Sequence, residues 1–115
     1  MITYDEMSPI FHALAHETRR EMLDILAMQP GCSVGEMAQQ FDVSRIAVMN
    51  HLAVLEKAGL VISQKEGRTR RLFMNAAPIR MIQDRWLNQH SAQWADRINA
   101  IKYAAEAANR EGDNE

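Results

Sequence analysis

The side chains whose types and spacing could do chemistry are concentrated in residues 44–75. That stretch holds 6 basic and 2 acidic side chains, against 2 and 7 in residues 1–43 and 5 and 6 in residues 76–115. A whole-chain charge of −2 therefore conceals one basic segment, of the kind that meets phosphate. Ser44 has the side chain of a helix N-cap, and residues 45–58 read as a helix that Gly59 ends. At about 100° per residue, Val48, Leu52 and Leu55 share one face, with Ala47, His51 and Ala58 on its shoulder. Arg45, Ile46, Met49, Asn50 and Ala53 fall opposite. A carboxamide such as Asn50 can pair with an adenine edge, and apolar Ile46 and Met49 can meet a thymine methyl. An outward apolar patch also serves protein contacts, which is the competing reading. Downstream, Arg68, Arg70 and Arg71 surround Gly67, a cluster that near DNA neutralises phosphates or enters a narrow minor groove. Strand alternation sends Arg70 and Arg71 to opposite faces, so Arg68 at the turn is the safest contact.

Other reactive side chains are sparse. His12 and His16 stand four apart, the spacing of a chelating pair on one helix face, but zinc takes three or four protein ligands and no third is nearby. The structural alternative makes His12 half-buried and sets His16 against a helix C-terminal dipole. His51 reads as a hydrogen-bonded structural residue. Cys32 is the only cysteine, so neither an internal disulfide nor a thiolate cage is available, and a redox role would need a neighbouring base to lower its pKa. No nucleophile, base and orienting group recur together, which argues against an enzyme. The sequence requires no metal and no cofactor.

The elements that must position these residues are mostly helical. Gly and Pro number only 5 and 3, too few for an all-β chain, while 47% apolar and 24% charged residues suit a folded globular protein. Ser8 and Pro9 open a first helix carrying Ile10, Phe11 and Leu14, and Met22, Leu23, Ile25 and Leu26 mark a second that Pro30-Gly31 stops. Ser33 with Glu36 forms a capping box before Val34, Met37, Ala38 and Phe41. A very short turn leads to the helix at Ser44. Residues 60–64 and TRRLFMN alternate about a turn at 65–68, a two-stranded hairpin. Helix, turn, capped helix and basic hairpin is the order of a winged helix-turn-helix.

The chain resembles the ArsR/SmtB family of winged-helix transcriptional regulators through LAHETRREMLDIL from Leu14, VGEMAQQFDVSRIAVMNHLAVLEKAGLV from Val34, and EGRTRRLFMN from Glu66. The resemblance spans roughly residues 8–75. It implies a homodimer on a partly palindromic operator, usually a repressor. It matches Ser44, Arg45, Ile46, Met49 and Asn50 to the family's DNA-reading helix, and Gly67 and Arg68 to its wing. Met49 stands where the family commonly has Ser. The helix that carries paired thiolates in metal-sensing members is here SVGEMAQQF, without cysteine, and His90 is followed by Gln93 and Trp94 rather than by zinc-sensor spacing. The resemblance is therefore to the branch without metal ligands.

Residues 78–108 read as one last helix, about 46 Å long and longer than a small domain is wide. Its apolar stripe includes Ile79, Ile82, Trp86, Trp94, Ile98 and Ile101, and a second copy of the chain is its simplest cover. The expectation is one winged-helix domain over 1–115, with a core at 8–75, a dimerisation helix at about 78–108 and a polar tail at 109–115. With no apolar run of about 20 residues and an acidic N-terminus, no membrane role and a cytoplasmic location are expected. The leading reading is a homodimeric, sequence-specific DNA-binding repressor that contacts operator DNA through the helix and wing residues above, Arg70 included. The alternatives are a protein-interaction adaptor and a metal- or redox-responsive repressor using His12 and His16 or Cys32. No effector is identifiable.

Overall fold

The computed structural model describes residues 1–87 and 89–113, with side chains for 1–87 and 96–109. In chain order the elements are α1 (Tyr4–Leu14), α2 (Glu17–Met28), β1 (Cys32–Ser33), α3 (Val34–Ala38), α4 (Arg45–Lys57), β2 (Val61–Glu66), β3 (Thr69–Met74), α5 (Ala77–Trp86) and α6 (Gln89–Asp113). This is the winged helix-turn-helix order, mostly α, with the hairpin widened to three antiparallel strands in the order β1-β3-β2. The added strand pairs Cys32 with Leu72 and Ser33 with Arg71. Two residues are too few to show an alternating pattern, so β1 is set by its partner rather than by its own sequence.

The first helix starts a turn before the expected Ser8. Thr3 caps it, its hydroxyl accepting from the Glu6 N–H at 3.2 Å and donating to the Glu6 carboxylate at 3.1 Å. Pro9 consequently lies inside the helix, with no N–H to give the Asp5 carbonyl, and the Ser8 hydroxyl turns back to the Tyr4 carbonyl at 3.1 Å.

Met1–Ile82 form one compact unit. Its core joins Met7 and Ile10 of α1, Met22 and Leu26 of α2, Val48, Leu52 and Leu55 of α4, and Leu60 and Leu72 at the sheet. Buried among them is one charged side chain, Arg19. Its Nε donates to the Ala13 carbonyl at 2.8 Å, Nη2 to the His12 carbonyl at 3.0 Å, and Nη1 contacts His51 Nδ1 at 3.3 Å. Arg20 donates to the Leu14 carbonyl at 2.8 Å. The last carbonyls of α1 are thus closed by two arginines of α2, where the helix dipole is also negative, and the His12 carbonyl accepts in addition from the Ala15 N–H at 3.3 Å.

Ile82, expected in a dimer interface, instead belongs to this core: with Pro78 one turn earlier it forms the buried side of α5. Ile79 and Trp86 are exposed. The expected single helix at 78–108 is two, with Leu87 in a bend after α5. Gln83–Glu115 form the second unit, in which α6, of 25 residues and about 37 Å, exposes Ile98, Ile101 and Tyr103. Trp94 lies outside the residues whose side chains are described.

Replacing Arg19 with Met would leave the buried Ala13 carbonyl without its donor. Urea unfolding is expected to show a loss of about 2–4 kcal/mol, and Lys should not restore it, since an ammonium cannot reproduce the guanidinium fork. A loss below about 0.5 kcal/mol would contradict the assignment.

Candidate nucleic-acid interface

The helix-turn-helix is built from two caps. Ser33 Oγ accepts from the Glu36 N–H at 3.1 Å and starts α3; Ser44 Oγ accepts from the Ala47 N–H at 3.1 Å and starts α4. The box at Ser33 is only half formed, because the Glu36 carboxylate turns to Arg71 at 3.5 Å. Val48, Leu52 and Leu55 anchor α4 inward, and Gly59, at φ +78°, lets the chain turn away after it.

The opposite face is open. Arg45, Ile46, Met49, Asn50 and Ala53 are all exposed, Ile46 to 72% and Met49 to 45%. So large an apolar exposure beside a cation and a carboxamide suits the floor of a major groove better than bulk water. The hairpin closes with the two residues Gly67 and Arg68, since Glu66 pairs with Thr69. Gly67 has φ +63° and, among the described residues, no non-glycine residue has a positive φ, so Gly67 and Arg68 have the backbone of a type II′ turn with Arg68 at the tip.

Helix and wing face each other across a groove of about 270 Å³ that brings together Arg45, Met49, Arg68 and Arg70 with Ser33 and Gly35. An adjoining hollow of about 240 Å³ includes Asn50, Ala53, Glu56 and Arg70. Another, of about 490 Å³, lies between α1 and the last turns of α4, lined by Pro9, His12, Val54 and Lys57, and holds none of the expected reading residues.

The arginines differ in what they touch. Arg71 reaches Glu66 at 3.3 Å, Glu36 at 3.5 Å and the Gly31 carbonyl at 3.4 Å, bracing β3 against β1 and α3. Arg70 is held by Glu56 of α4 at 2.6 Å and by the Ser63 hydroxyl at 3.0 Å. Among the described residues, Arg45 and Arg68 have no acidic partner. Sequence reasoning missed Glu56, although it is one of only two acids in the basic stretch. Its pairing depends on strand register: Ser63 lies opposite Leu72, so Arg70 is its diagonal neighbour on the same face, the face that meets α4.

The histidines are arranged differently from the expected chelating pair. The first helix ends at Leu14, and His16 caps α2 instead, its Nδ1 accepting from the Thr18 N–H at 3.2 Å. His12 and His16 therefore do not share a helix face, and His12 is exposed. The ring of His16 packs against His51, with centroids 4.5 Å apart. Among the described residues no cluster of three or more His, Cys, Asp or Glu could hold a metal. Cys32 is buried in β1, where burial and then Glu36 push its thiol up, with Arg71 opposing; a thiol so placed is a poor redox nucleophile.

A helix-turn-helix domain model matches residues 14–64. Over 104 residues the chain is 36% identical to the HTH-type transcriptional regulator Rv2034 of Mycobacterium tuberculosis, spanning 87% of this chain and 95% of that one. A solved ArsR-like transcriptional regulator from Rhodococcus sp. RHA1 aligns at a TM-score of 0.67 and 38% identity, over 90% of this chain and 94% of that one. A crystal structure of an ArsR family transcriptional regulator aligns at a TM-score of 0.68 and 32% identity, over 83% and 97%.

The half-buried His51 gives α4 a pH dependence. Burial, the His16 ring and the Arg19 cation, in that order, hold its imidazole below the ordinary value of 6.5. The native state thus binds fewer protons than the unfolded chain, so the contribution to stability is full above about pH 6.5 and is lost as the pH falls through the lowered value. The urea midpoint is expected to drop between about pH 7 and 5, and to drop less in His51→Gln, which keeps an acceptor for Arg19. Parallel profiles would contradict this.

Proposed function

Because this chain belongs to the ArsR family of helix-turn-helix transcriptional regulators, and is a DNA-binding regulator rather than an enzyme, we propose which of its residues meet the operator and how. The residues of the open face of α4 that meet the operator are Arg45, Ile46, Met49 and Asn50, with Ser44 at its N-terminus. Gly67 and Arg68 carry the wing to the backbone or the adjacent minor groove. The observation that supports this assignment is the shared groove in which Arg45, Met49 and Arg68 come together from helix and wing. Arg45 and Arg68, which have no acidic partner among the described residues, supply sequence-independent affinity, and Asn50 with its apolar neighbours supplies base choice.

The protein acts as a homodimer. Ile98 and Ile101 are exposed one turn apart on α6, and Ile79 and Trp86 are exposed on α5, apolar surface that a second copy would cover. A two-fold pair sets two reading helices about 34 Å apart, the spacing of successive major grooves. Bound so, it covers one face of its operator and represses by exclusion, in the cytoplasm. Among the described residues no helix is long and apolar enough to cross a membrane.

Binding to the gene's own upstream duplex, measured by fluorescence anisotropy over a salt series, tests the assignment. Arg68→Ala is expected to weaken operator and random duplexes about equally and to reduce the salt slope by about one per protomer. Asn50→Ala should cost about 1–3 kcal/mol on the operator and little on random DNA. The reverse pattern would overturn the division of labour. Ile98→Glu with Ile101→Glu should convert the dimer to monomer in sedimentation equilibrium and cut operator affinity at least about tenfold; a dimer surviving both changes would exclude this face.

A further inference from the structure

We propose that Glu56 is a specificity-determining positioning residue of the DNA interface: it withholds Arg70 from phosphate and fixes the wing to the reading helix. This rests on the DNA reading above. The Arg70 guanidinium lies 2.6 Å from the Glu56 carboxylate on α4 and 3.0 Å from the Ser63 hydroxyl on β2, so one side chain joins the helix, both strands and their register. Arg70 also lines both hollows between helix and wing, beside Arg45 and Arg68 in one and beside Asn50 in the other. Without Glu56, three arginines would face the same groove.

A third free cation would not improve recognition. Each phosphate neutralised adds affinity on every sequence alike, whereas discrimination depends on the ratio of operator to non-specific binding. Glu56 removes one cation from that count, and its own carboxylate repels a phosphate that approaches Arg70. The same contact ties β2 and β3 to α4, which fixes where Arg68 stands relative to Asn50. Glu56 therefore acts through Arg70 and the wing, without a base contact of its own.

The test compares the full chain with Glu56→Gln, Glu56→Asp, Arg70→Gln and the Glu56→Gln/Arg70→Gln double variant, on the upstream duplex and on random duplex of equal length, across a salt series. Glu56→Gln should raise affinity for random DNA several-fold, steepen the salt slope by about one per protomer and lower the operator-to-random ratio. Glu56→Asp, which keeps the charge but draws the carboxylate back, should move in the same direction and carries the test if the Gln variant fails to fold. The steepening should vanish in the double variant. An unchanged slope and ratio in Glu56→Gln or Glu56→Asp would overturn the inference. So would a steepening that persists in the double variant, since that reports the lost negative charge alone. Absence of wild-type binding to either duplex would overturn the DNA reading itself, whereas wild-type binding that Arg68→Ala weakens and Glu56→Gln leaves unaltered overturns only this inference.

Discussion

A guanidinium buried without a carboxylate is the constraint around which the DNA-binding unit is arranged. Arg19 sits 8% exposed in the core, and its donors end on two carbonyls of α1 and a ring nitrogen of His51. Burying a charge without partners costs several kcal/mol, so the fold must bring the negative end of α1 and a neutral imidazole to the same point. Doing so joins α1, α2 and α4. With Val48, Leu52 and Leu55 in the core and His51 against Arg19, the rotation of α4 about its own axis is fixed, and so is the outward direction of Ile46, Met49 and Asn50.

The other arginines of the first 75 residues differ in where each finds an acceptor. Arg20 closes the end of α1, Arg71 braces β3 against β1 and α3, and Arg70 joins wing to helix. Arg45 and Arg68 have no acid in reach among the described residues. A basic segment is thus partitioned by geometry into cations that hold the fold and cations that can meet phosphate. Net charge along a sequence counts both kinds together.

Much of this was legible in the residues themselves. The α4 helix declares its cap at Ser44, its stop at Gly59 and its inward stripe at Val48, Leu52 and Leu55, because capping and 3.6-residue periodicity are local properties. The alternation that sends Arg70 and Arg71 apart is local too. What escaped was set by tertiary partners. Cys32 and Ser33 form a strand because β3 lies beside them, and Glu56 finds Arg70 through strand register. His16 looked like the fourth residue after His12 on one helix, yet α1 stops at Leu14, where Arg19 and Arg20 meet its last carbonyls, and the His16 ring caps the next helix. Ile82 shows the limit of a stripe: periodicity says which residues share a face, not whether that face meets the same chain or a second copy.

Whether the open face of α4 enters the major groove twice per dimer can be read from dimethyl sulfate protection of the upstream duplex. Two patches of guanine N7 protection are expected about 34 Å apart on one face of the DNA, each lost when Met49 and Asn50 are replaced by Ala at concentrations that keep the duplex bound. Protection limited to adenine N3 in the minor groove, or N7 patches that persist unchanged in that variant, would contradict it.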